Sequence, residues 1–463
     1  MTQTFDAIIL GAGQAGPPLA ERLTKAGMTV ALVERHLFGG TCVNTGCMPT
    51  KTLVASARAA MVVRRAAEWG VNLDGGFAID MSTIKGRADT VSANARHGVE
   101  SWLQRMEGCT IVRGAARFIS TDTVAVGERR LSAPRIFINV GGRSARPDMP
   151  GIDNVALLNN TTMLQLDVVP KHLVVVGGSY IGLEFAQMYR RFGAGVTVVE
   201  KGERLVSRED PEVSEAIRDI LEAEGITVRT GAECIRFAPH ADGIEVGVDC
   251  QSGDPSVVGS HVLLAVGRRP NTDDLGLEAA GIATDARGYI NVDDQLATNV
   301  PGVWALGDCN GRGAFTHTAY NDFEIVAANL LDGEARRVTD RIDCYALYID
   351  PPLGRVGLTE TQARKGGHRI KVGRRAMKRV GRAVERGETQ GFIKVIVNAD
   401  TDAILGAAIL GVEGDEAIHS ILNTMARGGT AADMRRTMHI HPTVSELIPT
   451  VFGELRDPEG AST

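Results

Sequence analysis

The sequence predicts an α/β chain: two units built on parallel sheets, each with a dinucleotide-binding loop, followed by a third unit of α+β type. Two observations predict it. A strand–glycine loop–helix–strand pattern occurs twice, each time with a glutamate 23 positions after its first glycine. After about residue 340 these glycine patterns stop, and alternating apolar segments with turn signals take over. A chain of 463 residues has room for roughly two to four domains, and its 44% apolar residues suffice to bury their cores.

The first unit opens with FDAIILGAGQAG. Residues 5–10 read as a buried parallel strand, and Gly11, Gly13 and Gly16 follow in GxGxxG spacing. An amphipathic helix then runs to Gly27, and a second strand ends at Glu34. In that setting Gly11 permits the tight turn, Gly13 lets backbone approach a pyrophosphate, and Gly16 lets helix pack closely on strand. Free N–H groups and the dipole at the helix start favour phosphate charge, and Glu34 is placed to accept from ribose hydroxyls. Pro17 and Pro18 fall in the first helical turn, where missing donors cost little.

The second unit, HLVVVGGSYIGLEFAQMYRRFGAGVTVVE, repeats the grammar with Gly177, Ser179 and Gly182, a helix, and a strand ending at Glu200. Ser179 in place of the middle glycine tightens the space beside the phosphate but leaves the site. Both units are Rossmann-like, so two dinucleotides are expected. Residues 136–142, with Gly141, and 262–271, with Gly267, read as strands whose turns bring the chain back toward each nucleotide. Residues 298–308 end at Asp308, suited to hydrogen-bonding a polyol such as a ribityl chain; its plainer reading is a turn aspartate before Asn310-Gly311. In the third unit, GFIKVIVNADTDAILGAAILG predicts an antiparallel hairpin, residues 415–427 a helix, and HIHPTVSELIPTVFGEL the close.

Composition excludes several function classes. A net charge of −6 and a pI near 6.0 give no reason to expect nucleic acid as a partner. The basic run 365–386 reads as a solvated face of a strand pair. No uncharged apolar run approaches the ~18 residues of a membrane span, and residues 7–10 are too short for a signal core. The chain is therefore expected in the cytoplasm, where thiols are kept reduced. Seven cysteines do not suggest a disulfide scaffold.

One cysteine pair stands apart, in GGTCVNTGCMPTK. In a regular helix Cys42 and Cys47 would lie about 8–9 Å apart at Cα, beyond the roughly 4.4–6.8 Å a disulfide needs. Gly39, Gly40, Gly46 and Pro49 are the residues able to distort the chain there. The spacing alone leaves a staple, half a metal site and a redox couple open. No CxxC or histidine pair nearby completes a metal site, and so small a loop would stabilise little.

Taken in order, the first fingerprint, GGTCVNTGCMPTK, the second fingerprint, TNVPGVWALGD and HPTVSE resemble the FAD-dependent pyridine nucleotide–disulfide oxidoreductases over essentially the whole chain. That family includes glutathione reductase, dihydrolipoamide dehydrogenase and mercuric reductase. The resemblance implies an FAD domain at 1–150 completed by 272–340, an NAD(P) domain at 151–271, and a dimerisation domain at 341–463. It implies FAD contacts from Gly11, Gly13, Gly16, Glu34, Gly40, Thr41, Lys51, Gly141, Asp308 and backbone around His317. Nicotinamide nucleotide contacts would come from Gly177, Ser179, Tyr180, Gly182, Glu200 and Gly267, with Tyr180 covering the nicotinamide pocket.

The resemblance also makes Cys42–Cys47 a redox-active disulfide, with Cys47 next to the flavin and Cys42 meeting the acceptor. Lys51, one turn from Cys47, would sit near flavin N5 paired with Glu184. Plainer readings are a solvated Lys51–Glu184 pair and a packing role for Tyr180. His441 and Glu446 would form a His–Glu dyad that moves protons for Cys42 from the other subunit of an obligate homodimer. Thr443 to Glu446 is also a capping box for the last helix. His439 reads as structural, and Cys109, Cys234, Cys250, Cys309 and Cys344 as small buried hydrophobes.

The implied function is passage of hydride from NAD(P)H via FAD to the cysteine pair, then to a disulfide, a soft metal ion such as Hg²⁺ or Cu²⁺, or an oxidant. No metal is expected as the protein's own. Glu200 favours NADH over NADPH by repelling a 2′-phosphate, while Lys201 and Arg204 temper that preference. The GGTCVNTGCMPTK wording is mercuric reductase-like, but ELRDPEGAST holds no cysteine pair of the kind that branch typically carries, the N-terminal metal-binding domain of many of its members is not expected here, and that branch generally lacks the dyad. Flavoproteins of reactive-chlorine resistance keep cysteines and dyad without the tail. The alternatives are a dihydrolipoamide dehydrogenase-type subunit of a 2-oxoacid dehydrogenase complex and a slow redox sensor.

Overall fold

A computed structural model describes residues 1–233, 235–248 and 254–457. The first glycine fingerprint opens a five-stranded parallel sheet. Its order is Val303–Ala305, Ile136–Ile138, Ala7–Leu10, Val30–Glu34 and Cys109–Arg113. Ala7–Leu10 is buried at every position, as a parallel strand covered on both faces must be. The helix Gly16–Lys25 follows with its two prolines in the first turn. The outermost strand, Val303–Ala305, comes from far along the chain, so the segment after the second fingerprint returns to the first sheet.

The second fingerprint builds a four-stranded parallel sheet: Thr227–Arg229, Gly195–Val199, His172–Val176 and His261–Leu264. The two units share one close approach. A Cβ on Gly11, at φ +110°, would lie 2.3 Å from the carbonyl oxygen of Asn139, and one on Gly177, at φ +116°, 2.4 Å from that of Ala265. Each glycine thus serves the neighbouring strand as well as the loop.

The third unit is an antiparallel sheet ordered Cys344–Leu347, Leu353–Gly357, Ile404–Leu410, Phe392–Asn398 and Ile370–Ala376. The expected hairpin is the pair Phe392–Asn398 and Ile404–Leu410, and the expected helix is Gly414–Ala426. Of the basic run, Ile370–Ala376 forms an edge strand with Lys371 and Arg374 exposed, and Lys378, Arg379 and Arg382 are exposed beyond it. Lys394, beyond that run in the strand Phe392–Asn398, is 1% exposed and held by Asp210, Glu212 and Glu360, which ties the second unit to the third. Among the described residues no helix is long and apolar enough to cross a membrane.

Candidate active site

The two cysteines sit on successive helices. Gly39, at φ +91°, turns the chain into the helix Gly40–Thr45, which carries Cys42. That helix stops at Gly46, and the helix Cys47–Arg64 starts on the next residue. A Cβ on Gly46 would lie 2.8 Å from the carbonyl oxygen of Thr41, so only glycine lets the two helices fold back this tightly. The distortion expected from sequence is this break.

Cys42 donates a hydrogen bond to the Cys47 sulfur, which pulls the Cys47 thiol down to about 6. The Thr316 hydroxyl, 3.3 Å away, and the Lys51 ammonium act in the same direction, while burial and Glu184 oppose them. The first turn of a helix also favours a thiolate. Cys42 moves the other way: donating to Cys47, burial and the charge of its neighbour push its thiol up. One sulfur of the pair therefore carries the charge near neutral pH, and the other keeps its proton.

Lys51 lies one turn on, with Nζ 2.7 Å from Glu184 Oε2 and 4.5 Å from the Tyr348 ring centroid. Glu184 is buried and also accepts from the Tyr348 N–H at 3.1 Å. A charge pair anchored by a buried partner is not a solvated surface pair.

These residues face a single cleft of about 2900 Å³, which both glycine loops also line. Gly11, Gly13, Glu34, Gly40, Thr41, Gly141, Asp308 and His317 line it, as do Gly177, Ser179, Tyr180, Glu200 and Gly267. Gly16 and Gly182 do not; each packs its helix start against the strand-end glycine of its unit. Glu34 accepts from the N–H groups of Ala12 and His36, both at 2.8 Å, and Glu200 from those of Gly178 at 2.5 Å and Gly202 at 2.7 Å. Both carboxylates fix their loops and retain lone pairs for ribose hydroxyls.

The first loop fits a dinucleotide. Asn139 Nδ2 is buried with no hydrogen-bond partner among the described residues, and the bare Cα of Gly13 beside it leaves a polar cradle. Burial raises the Asp308 carboxyl, against the Arg268 guanidinium at 3.4 Å. His317 opens the helix Thr316–Leu331, and its Nε2 meets the Cys344 carbonyl oxygen at 2.7 Å, leaving the helix-start backbone toward the cleft.

Tyr180 stands edge-on to Phe315 at 6.1 Å and Tyr345 at 5.5 Å. Behind Tyr345 lies a cluster the sequence did not reveal. Glu209 accepts from the Tyr345 hydroxyl and faces Arg355 Nε at 3.9 Å, while both terminal nitrogens of Arg355, a residue 1% exposed, have no hydrogen-bond partner among the described residues. Thr316 was missed as well, although its place at a helix start is a signal that could have found it.

His441 Nδ1 lies 2.6 Å from Glu446 Oε2, and the imidazole is 81% exposed. Neither residue lines the cleft of its own protomer. The capping box expected at Thr443 forms only in part: Glu446 accepts from the Thr443 N–H at 3.4 Å, but the Thr443 hydroxyl donates to the Ile440 carbonyl oxygen. His439 bonds the carbonyl of Thr437. Cys309 is buried and Cys109 and Cys344 partly so, while Cys234, Cys250 and the last six residues of the chain lie outside the described residues.

Residues 5–322 match the pyridine nucleotide-disulphide oxidoreductase family and residues 344–452 its dimerisation domain. The probable pyridine nucleotide-disulfide oxidoreductase RclA of Escherichia coli (strain K12) is 35% identical over 457 residues, spanning 97% of this chain and 98% of that one. Dihydrolipoyl dehydrogenase of Thermus scotoductus is 33% identical over 96% of both chains. Mercuric reductase of Bacillus cereus is 31% identical over 96% of this chain and 70% of its own. The solved structure of the HOCl-induced flavoprotein disulfide reductase RclA from Escherichia coli superposes with a TM-score of 0.88 at 34% identity, covering 97% of this chain and 99% of that one. With both family models matched in chain order, the chain belongs to the pyridine nucleotide–disulfide oxidoreductases, a family that works with FAD and NAD(P)H.

Proposed function

We propose that the chain is an NADH-driven reductase whose Cys42–Cys47 pair hands electrons to a disulfide, a soft metal ion or an oxidant. The observation that carries this reading is the place of the pair: Cys42 and Cys47 lie either side of the break at Gly46, with Thr316 against Cys47 and the Lys51–Glu184 pair one turn on, inside the cleft that both glycine loops share. FAD, when bound, supplies a two-electron carrier between nucleotide and sulfurs. Residues 1–150 with 272–340 would hold it, 151–271 the nucleotide, and 341–463 the dimer contact. Gly11, Gly13, Asn139 and Glu34 suit the pyrophosphate and ribose end, and Asp308 a polyol. Lys51, held by Glu184, sets positive charge beside the sulfur pair. Glu200 supports NADH over NADPH, since a carboxylate repels a 2′-phosphate.

Because Cys42 keeps its proton, its attack on an acceptor needs a base. The exposed His441, oriented by Glu446, suits that task for the cleft of the partner subunit in an obligate dimer with shared sites. A disulfide acceptor is cleaved as Cys42 forms a mixed disulfide and a thiolate leaves; Cys47 then attacks Cys42 and expels the second thiolate. His441 takes the first proton and returns it to the leaving thiolate. The similarity to RclA, a flavoprotein disulfide reductase, supports a reductase acting on a disulfide or an oxidant, and its proposed place is the cytoplasm, where thiols are kept reduced.

A stopped-flow screen of the NADH-reduced enzyme against glutathione disulfide, lipoamide, Hg²⁺, Cu²⁺ and hypothiocyanite tests this. His441→Ala should slow disulfide turnover far more than metal reduction, and equal slowing would remove the proton-transfer role. Fast lipoamide turnover alone would favour a dihydrolipoamide dehydrogenase-type subunit. A kcat below about 0.1 s⁻¹ with every acceptor would favour a sensor.

A further inference from the structure

Arg208 belongs to none of the motifs above, yet it forms part of the wall around Tyr180. Its guanidinium lies 5.5 Å from the Tyr180 ring centroid and 5.4 Å from that of Tyr345. The other charges of this wall are matched. Lys51 pairs with Glu184 at 2.7 Å, and Arg355 Nε faces Glu209 at 3.9 Å. Among the described residues Arg208 forms no ion pair, so its positive charge stands at this wall without a salt-bridge partner of its own.

Resting on the reading above, in which the nicotinamide end of the nucleotide lies against Tyr180, we propose that Arg208 is a specificity-determining residue. It disfavours the oxidised nucleotide relative to the reduced one. The two forms differ at the ring by one positive charge: dihydronicotinamide is neutral and the pyridinium is a cation. An unmatched guanidinium repels the cation alone. Aromatic faces would otherwise attract a pyridinium by cation–π contact, and the guanidinium already engages both tyrosines in this way. Pyrophosphate and ribose contacts are common to both forms and do not enter the difference. The consequence is ready release of the oxidised product, which turns the cycle toward reduction of the acceptor and away from reduction of NAD⁺.

Arg208 is exposed, so solvent screens it. The preference it confers is about fivefold in affinity, the equivalent of about 1 kcal/mol.

Calorimetric binding to the FAD-loaded enzyme tests this with two probes: NAD⁺, and tetrahydro-NADH, a neutral analogue that donates no hydride. Arg208→Met should tighten NAD⁺ about fivefold and leave tetrahydro-NADH unchanged, while Arg208→Lys keeps the wild-type ratio. Equal shifts for both probes, or no shift for NAD⁺, would overturn the inference. Tyr180→Ala separates this from the underlying reading. If it alters neither probe, the nicotinamide site lies elsewhere and both claims fall. If it alters both while Arg208→Met alters neither, only the role of Arg208 falls.

Discussion

Replacing Cys42 by alanine removes the donor that does most to keep Cys47 ionised. In the intact pair the Cys47 thiol is pulled down to about 6, first by Cys42 and then by Thr316 and Lys51, against the effect of burial. A hydrogen bond to a charged acceptor contributes roughly 1.5–3 kcal/mol, and one pKa unit corresponds to about 1.36 kcal/mol. Loss of the Cys42 donor should therefore raise Cys47 by about one to two units. The readout is the ultraviolet absorbance of the thiolate during a pH titration of the reduced protein, with Cys234 and Cys250 replaced by serine. Burial pushes Cys109 up to about 11 and Cys309 up to about 12, and raises Cys344, so they stay protonated where Cys47 titrates. The midpoint is more informative than an alkylation rate. Thiolate nucleophilicity rises with pKa, with a Brønsted slope of about 0.4–0.5, and offsets part of the loss of thiolate. A midpoint that stays at about 6 in Cys42→Ala would refute the proposed asymmetry of the pair.

Gly46→Ala places a methyl 2.8 Å from the Thr41 carbonyl oxygen and should push the two cysteine helices apart. The expected cost is about 1–3 kcal/mol, read as a lower urea midpoint, with slower closure of the Cys42–Cys47 bond by oxidant. Glu200→Ala removes the carboxylate that braces Gly178 and Gly202 and opposes a 2′-phosphate. The NADH-to-NADPH ratio of kcat/KM should fall by about tenfold, the effect of about 1.4 kcal/mol, and an unchanged ratio would assign cofactor choice to other residues.

What the sequence made legible is local. Gly11 and Gly177 announce their strands because each loop, helix and acid lies within some two dozen residues, and the structure gives both the same close approach. Pro17 and Pro18 fit their helix because only its first turn tolerates them. The break at Gly46 is likewise a short-range steric fact. What stayed hidden depends on contacts between distant segments. Lys394 looks like one polar position in an apolar strand, yet Asp210 and Glu212, more than 180 positions away, bury it. Arg355 lies in a strand whose neighbours give no hint that its guanidinium turns inward against Glu209. Arg208, Glu209 and Asp210 form an unremarked polar run in sequence, but in the fold they face the aromatic wall, Arg355 and the helix Glu360–Lys365 respectively. The cap at Thr443 is only half made because the Thr443 hydroxyl turns to the Ile440 carbonyl oxygen, while Glu446 accepts from both the Thr443 N–H and His441. A capping pattern counts side-chain types and cannot see a competing partner.

The most direct measurement is an anaerobic titration of the oxidised, FAD-loaded enzyme with NADH, followed by alkylation of denatured protein and mass spectrometry. If electrons pass through the sulfur pair, Cys42 and Cys47 become alkylated together, in step with NADH consumed, while Cys109, Cys309 and Cys344 do not change. Consumption of NADH and reduction of the acceptor with no new thiol at Cys42 or Cys47 would contradict the account.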